Sequence, residues 1–150
     1  DIVGYTARKC TDGRPKYISD QSPNYIFNID NQKQDQKYIF VVEGPFDAIA
    51  INGVAVLTNR ISDVQAKLLK SYDSQIIVIP DQDKAGLEMI DSALDHGFAV
   101  AFPNWDENIK DVADAVQEYG SLYVIIDAIK SSSDNKIKIN VNKNHLKKYV

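Results

Sequence analysis

The sequence predicts an α/β domain with a largely parallel central sheet and helices on both faces. Four short apolar runs, at 37–43, 54–57, 75–80 and 98–102, support this expectation. Each is too short for an independent helix, and too continuous to keep one face in water, so each reads as a strand buried on both sides. Between them lie segments whose apolar residues recur at helical spacing. Strands alternating with helices of this length build parallel sheets through right-handed crossovers.

Lys37-Tyr38-Ile39-Phe40-Val41-Val42-Glu43 is the first strand, stopped by Gly44-Pro45. Phe46 to Asn52 has helical character, and Gly53 suits the position after a helix end. Val54-Ala55-Val56-Leu57 is the second strand, and Ser62 with Gln65 forms a capping box that opens a helix reaching Tyr72. Gln75 to Pro80 is the third and most apolar strand. Lys84 to His96 follows as a helix with Leu87, Ile90 and Leu94 on one face, closed by Gly97. Phe98 to Phe102 is the fourth strand, halted by Pro103. Asp111 can cap a helix through Tyr119, and Gly120 breaks it before another helix near Leu122–Ile129.

Residues 1–36 are polar, with strand-like pieces around Pro15–Ile18 and Tyr25–Ile29, and read as the end of a preceding small subdomain. Ser131–Asn135 is a polar break. Beyond it, Lys136 to Val141 alternates as a strand does, and His145–Val150 reads as the start of a helix. No internal repeat is present.

The net charge of −4 is unevenly spread. Residues 1–40 hold six Lys/Arg against five Asp/Glu, residues 41–129 five against fifteen, and residues 130–150 six against one. A protein that grips nucleic acid by general charge is rarely acidic overall. An enzyme that sets metal ions between its own carboxylates and a polyanion can be. A single cysteine, Cys10, excludes a disulfide framework or a multi-cysteine zinc site and fits a reducing cytoplasm. No apolar run approaches a membrane span, and no signal-peptide pattern opens the chain. The first residue is Asp1, so the chain reads as a piece of something longer.

Five acids stand where strands end. Glu43 closes the first strand, with Asp47 one helical turn later; Asp81 and Asp83 close the third; Asp111 follows the fourth. In a parallel α/β sheet the carboxyl ends of the strands share the edge where ligands bind, so these groups are expected to converge. Like charges held close raise one another's pKa, and a shared cation removes the conflict. All-oxygen ligands select Mg²⁺ or Mn²⁺ over zinc. Taken singly, Asp81 and Asp83 suit a turn and Asp111 suits an N-cap. Lys84 and Arg60 lie near the same edge as candidate phosphate contacts.

Glu43-Gly44-Pro45-Phe46-Asp47, followed by Asp81-Gln82-Asp83-Lys84-Ala85-Gly86, resembles the Toprim domain shared by primases, topoisomerases, recombination mediators and some nucleases. The Ala-Gly ending is similar to DnaG-like primases and their phage-type relatives. Gly4-Tyr5-Thr6-Ala7-Arg8 and Pro15-Lys16-Tyr17-Ile18-Ser19 resemble the basic segment upstream of the primase Toprim domain, and Lys110-Asp111 resembles its third acidic stretch. Val112 stands where that stretch has proline, and Asp114 lies one position later than its second acid.

The resemblance implies a Toprim-like fold, with 1–36 the end of an upstream primase subdomain, 37–130 the Toprim domain and 131–150 a basic extension. It implies metal-dependent synthesis of RNA primers from ribonucleoside triphosphates on a single-stranded DNA template, in bacterial or phage-infected cytoplasm. Replicative-helicase contact is expected to lie outside this chain. On this resemblance Glu43, Asp47, Asp81 and Asp83 are the catalytic candidates. Glu43, Asp81, Asp83 and Asp111 would hold Mg²⁺ or Mn²⁺. Arg8, Lys16 and Tyr17, with Arg60 and Lys84, would meet nucleotide or nucleic acid. Open beside this stand a Toprim-type nuclease, a recombination-mediator-like binding module, and an acidic domain without catalytic role.

Overall fold

The computed structural model describes residues 4–11, 15 and 17–146, apart from the Tyr17 side chain. A parallel sheet of four strands forms the centre: β3 (Tyr38–Val42), β4 (Val54–Ala55), β5 (Gln75–Val78) and β6 (Ala99–Val100), in the order β4-β3-β5-β6. An antiparallel hairpin precedes it, pairing β1 (Tyr5–Arg8) with β2 (Tyr17–Asp20), Arg8 opposite Tyr17.

Residues of β3 and β5 alternate between two cores, as a period of two demands. Ile39, Val41, Ile76 and Val78 face one side, where Ala66 and Leu69 of α2 (Asp63–Leu69) and Met89, Ile90 and Ala93 of α3 (Lys84–His96) cover them. Phe40, Val42, Ile77 and Ile79 face the other side. There they meet Ala48 and Ile51 of α1 (Pro45–Ile51), Val112 and Ala115 of α4 (Val112–Tyr119), and Val124 and Ala128 of α5 (Ser121–Ser131). The strands are buried on both faces, and the architecture is three layers, helix–sheet–helix, as expected.

Most of the sequence punctuation acts as read. Ser62 and Gln65 form the reciprocal capping box, Gly97 ends α3 at φ 74°, and Gly120 separates α4 from α5 at φ 85°. After α1 the left-handed turn is made by Asn52, at φ 52°, rather than by Gly53. Gly53 serves close packing instead, since a Cβ there would lie 2.7 Å from the Phe40 carbonyl oxygen.

Two expectations need correction. The strand-like piece at Tyr25–Ile29 contributes one bridge, Phe27 to Ala55, before a 3₁₀ turn at Ile29–Asn31. The alternating segment 136–141 is not a strand but the first half of α6 (Lys136–Leu146). Asn135 opens that helix, its Oδ1 accepting from Ile137 N and Lys138 N at 3.0 and 3.1 Å. A strand would place Ile137, Ile139 and Val141 on one face. The helix buries Ile139 completely and leaves Ile137 78% and Val141 51% exposed. Its inner face runs Ile139, Lys143, Leu146, with Lys143 paired to Asp91 of α3, so α6 is docked on the core. The only pairing of this region with the sheet, among the described residues, is Ser133 with Val100 on the β6 edge.

Ile139→Ala is therefore expected to cost about 2–4 kcal/mol, and Ile137→Ala within about 0.5 kcal/mol of nothing, both by urea unfolding. Equal costs would restore the strand reading.

Candidate active site

Glu43 stands directly after β3, and its carbonyl oxygen accepts from Leu57 N at 3.0 Å, which ties the end of β3 to the end of β4. Its side chain turns inward, and Oε2 is buried with no hydrogen-bond partner. Burial raises the Glu43 pKa, helped by the charges of Asp83, Asp47 and Glu88.

Gly44 and Pro45 then start α1, with Gly44 extended at the N-cap and Pro45 filling a first-turn position that needs no amide donor. The turn brings Asp47 within electrostatic range of Glu43. Asp47 is buried, and its Oδ1 accepts from Ala113 N of α4 at 2.8 Å. Burial lifts its pKa to about 6; the Ala113 hydrogen bond opposes this, and Asp111 and Asp114 add to it.

Asp81 follows β5 across Pro80. Burial pushes its carboxyl up to about 8, with Asp47, Glu43, Asp83 and Asp111 contributing in that order. Asp83 is the N-cap of α3, Oδ1 accepting from Gly86 N at 3.0 Å. A Cβ on Gly86 would collide with the Asp81 carbonyl oxygen, so this glycine is what lets the helix start against the strand end. Asp111 caps α4, Oδ1 accepting from Asp114 N at 2.8 Å. Gln82 N donates to Lys110 O at 2.8 Å, lacing the Asp81–Asp83 loop to the segment that carries Asp111.

Acids from three strand ends thus gather at one rim, and the capping role read for Asp111, with the one that the structure adds for Asp83, coexists with that gathering. The gathering is at electrostatic range. Among the described residues, no three His, Cys, Asp or Glu side chains form a ready metal cage.

Arg8 reaches the rim: its guanidinium carbon lies 5.2 Å from the ring centre of Phe46, within the Glu43–Asp47 turn. Lys84 is exposed at the first position of α3, beside Asp83. Tyr17 lies opposite Arg8 in the hairpin, and Lys16 lies outside the described residues. Arg60 is not brought to the acids. It is exposed, with Nη2 4.0 Å from Asp95 near the far end of α3. One further acid stands by the rim that no motif marks. Glu88, one turn beyond Lys84, adds its charge to the field on Glu43 and accepts a 2.7 Å hydrogen bond from Asn59 Nδ2. The only signal was the four-residue spacing from Lys84, which places both on one helix face.

The chain belongs to the Toprim-like family, which matches residues 40–116. It is 25% identical over 147 residues to the DNA primase of Mycoplasma genitalium, covering 85% of this chain and 24% of that protein. With the DNA primase of Campylobacter jejuni it shares 38% identity over 105 residues, 58% of this chain and 17% of the other. The chain therefore spans a quarter or less of these relatives. Among solved structures, its fold is similar to the Aquifex aeolicus primase zinc-binding and RNA polymerase domains, with a TM-score of 0.70 at 20% identity, covering 99% of this chain and 44% of that one. A DnaG catalytic core matches with a TM-score of 0.69 at 19% identity, covering 87% and 49%.

Proposed function

We propose that this chain is the Toprim portion of a DNA primase, joining ribonucleotides on a single-stranded DNA template in the cytoplasm. The observation that carries the reading is the rim where Asp81 is held near pKa 8 by burial and by four neighbouring acids. The relatives named above are DNA primases, and a DnaG primase catalytic domain bound to single-stranded DNA shares the fold, with a TM-score of 0.66 at 18% identity.

The donor set fits a hard divalent cation, Mg²⁺ or Mn²⁺. The buried, unpartnered Oε2 of Glu43 and the desolvated carboxyl of Asp81 are groups a cation satisfies and water does not. Glu43, Asp81, Asp83 and Asp111 would hold it. Such an ion usually keeps several waters and shares its shell with substrate phosphate, so a preformed three-acid cage is not required. When bound, it supplies charge neutralisation at the reacting phosphate.

In the reaction, the primer 3′-oxygen forms a bond to the α-phosphorus of a nucleoside triphosphate, the bond to the β-phosphate breaks, and pyrophosphate leaves. Glu43, whose pKa burial raises, would assist removal of the 3′-hydroxyl proton. Arg8 and Lys84 are the groups that would orient phosphates.

The test supplies the chain with single-stranded DNA, ribonucleotides and Mn²⁺. RNA oligomers are expected, and Glu43→Gln should slow their synthesis by about a hundredfold or more. Strand cleavage without ribonucleotides would instead establish a nuclease, and DNA binding indifferent to metal a non-catalytic module.

A further inference from the structure

Any helix begins with backbone amides that its own turns cannot satisfy. At the start of α4, Asp111 takes the amide of Asp114 at 2.8 Å. The amide of Ala113 is taken from another element altogether, by Oδ1 of Asp47 on α1, also at 2.8 Å. Asp47 is only 7% exposed, so this bond is sheltered from competing water. Its other oxygen is packed against the preceding turn: a Cβ on Gly44 would fall 2.6 Å from Oδ2.

We infer that Asp47 is a positioning residue, whose carboxylate clamps the first turn of α4 to α1 and so sets where Asp111 stands on the rim, with Gly44 leaving the clamp its room. The inference deepens the metal reading above and rests on it for the role of Asp111. It also accounts for the Glu-Gly-x-x-Asp spacing. Glu43 turns toward the rim, Gly44 vacates the space behind it, and one helical turn later Asp47 reaches α4. Asp111 is fastened from its other side as well, by the 2.8 Å bond from Gln82 N to Lys110 O. The acid-bearing turn is thus tethered both before and after Asp111.

The alternative is that Asp47 acts by charge, on the cation itself. Asp47→Asn removes the charge and keeps an oxygen for Ala113. Gly44→Ala keeps every carboxylate and displaces Asp47. Two readouts apply to the 150-residue chain: hydrogen exchange at the Ala113 amide, and calorimetric titration with Mn²⁺. Asp47→Asn is expected to retain Ala113 protection and hold Mn²⁺ affinity within about threefold of the native chain. Asp47→Ala and Gly44→Ala should each speed Ala113 exchange about tenfold and weaken Mn²⁺ binding about tenfold or more.

If Asp47→Asn loses Mn²⁺ as Asp47→Ala does while Ala113 stays protected, the charge matters and the clamp is overturned. Native protection and affinity in Gly44→Ala would overturn it equally. Should Asp47→Ala fail to fold, the asparagine and Gly44→Ala variants decide between the two roles. If the native chain takes up no Mn²⁺ saturably, the metal reading fails, and the Ala113 exchange rates alone still decide whether Asp47 holds α4.

Discussion

Asparagine at position 81 is expected to make the metal-free chain more stable at pH 8 and to abolish its nucleotidyl transfer. The two effects have one cause. Asp81 is desolvated and surrounded by Asp47, Glu43, Asp83 and Asp111, so its carboxyl is held at about 8, against 3.8 ordinarily. Below about pH 4 both folded and unfolded chains carry the proton, and the site costs nothing. Between about pH 4 and 8 the unfolded chain releases that proton while the folded chain keeps it, so stability falls as pH rises. Above about 8 the folded chain must bury the charge, and the penalty is complete, on the order of 5 kcal/mol.

Asparagine has nothing to ionise. Its advantage in urea unfolding should be absent at pH 4 and grow to that size by pH 8. Mn²⁺ at pH 8 should raise the unfolding midpoint of the native chain, by about 2.7 kcal/mol at a hundredfold excess over its dissociation constant, and leave the variant unmoved. Primer synthesis should fall below detection. An asparagine variant less stable than the native chain at pH 8 would mean that the Asp81 charge holds the fold together, and the picture of a carboxylate waiting for a cation would be wrong.

What could be read from the sequence, and what could not, divides along physical lines. Strands buried on both faces announce themselves as unbroken apolar runs, and Ser62, Gly97 and Gly120 mark helix ends by chemistry that acts within four residues. The meeting of Glu43, Asp81 and Asp111 was legible because a parallel sheet must put the ends of its strands on one edge. Contacts set by tertiary packing were not. Asp47 is held by a backbone amide 66 residues away, and an amide has no letter in the sequence. Asn59 and Glu88 meet across 29 residues with no motif between them. Arg60 follows the end of the second strand and so reads as lying on the same edge, yet its guanidinium stands beside Asp95 near the far end of α3. The error at 136–141 has the same origin. Apolar residues at 137, 139 and 141 satisfy a period of two, while burial selects 139, 143 and 146, which only the position of α3 decides.

The second large effect is expected from a single methyl group, Gly86→Ala, with every acid still in place. Position 86 lies in the first turn of α3, where alanine is normally the better residue by about 1 kcal/mol. Helix propensity alone therefore predicts a stabilised protein. The surroundings predict the opposite. A Cβ here would collide with the Asp81 carbonyl oxygen and stand 2.9 Å from the Asp81 carbonyl carbon and 3.1 Å from its nitrogen. All three are backbone atoms and cannot rotate aside, so either α3 withdraws or the Asp81 peptide moves. The first breaks the bond from Gly86 N to Asp83 Oδ1; the second shifts Asp81 itself. The expected cost is about 3 kcal/mol, with Mn²⁺ affinity reduced on the order of a hundredfold although no ligand has been removed. Gly97→Ala at the other end of the same helix is the control. A Cβ there meets nothing within 4 Å, and only the left-handed backbone at φ 74° resists it, so about 1 kcal/mol is lost and Mn²⁺ binding is unchanged. Urea unfolding and Mn²⁺ titration of the two variants make the comparison. A Gly86→Ala chain as stable as the native one, with native Mn²⁺ affinity, would mean that α3 does not start against Asp81.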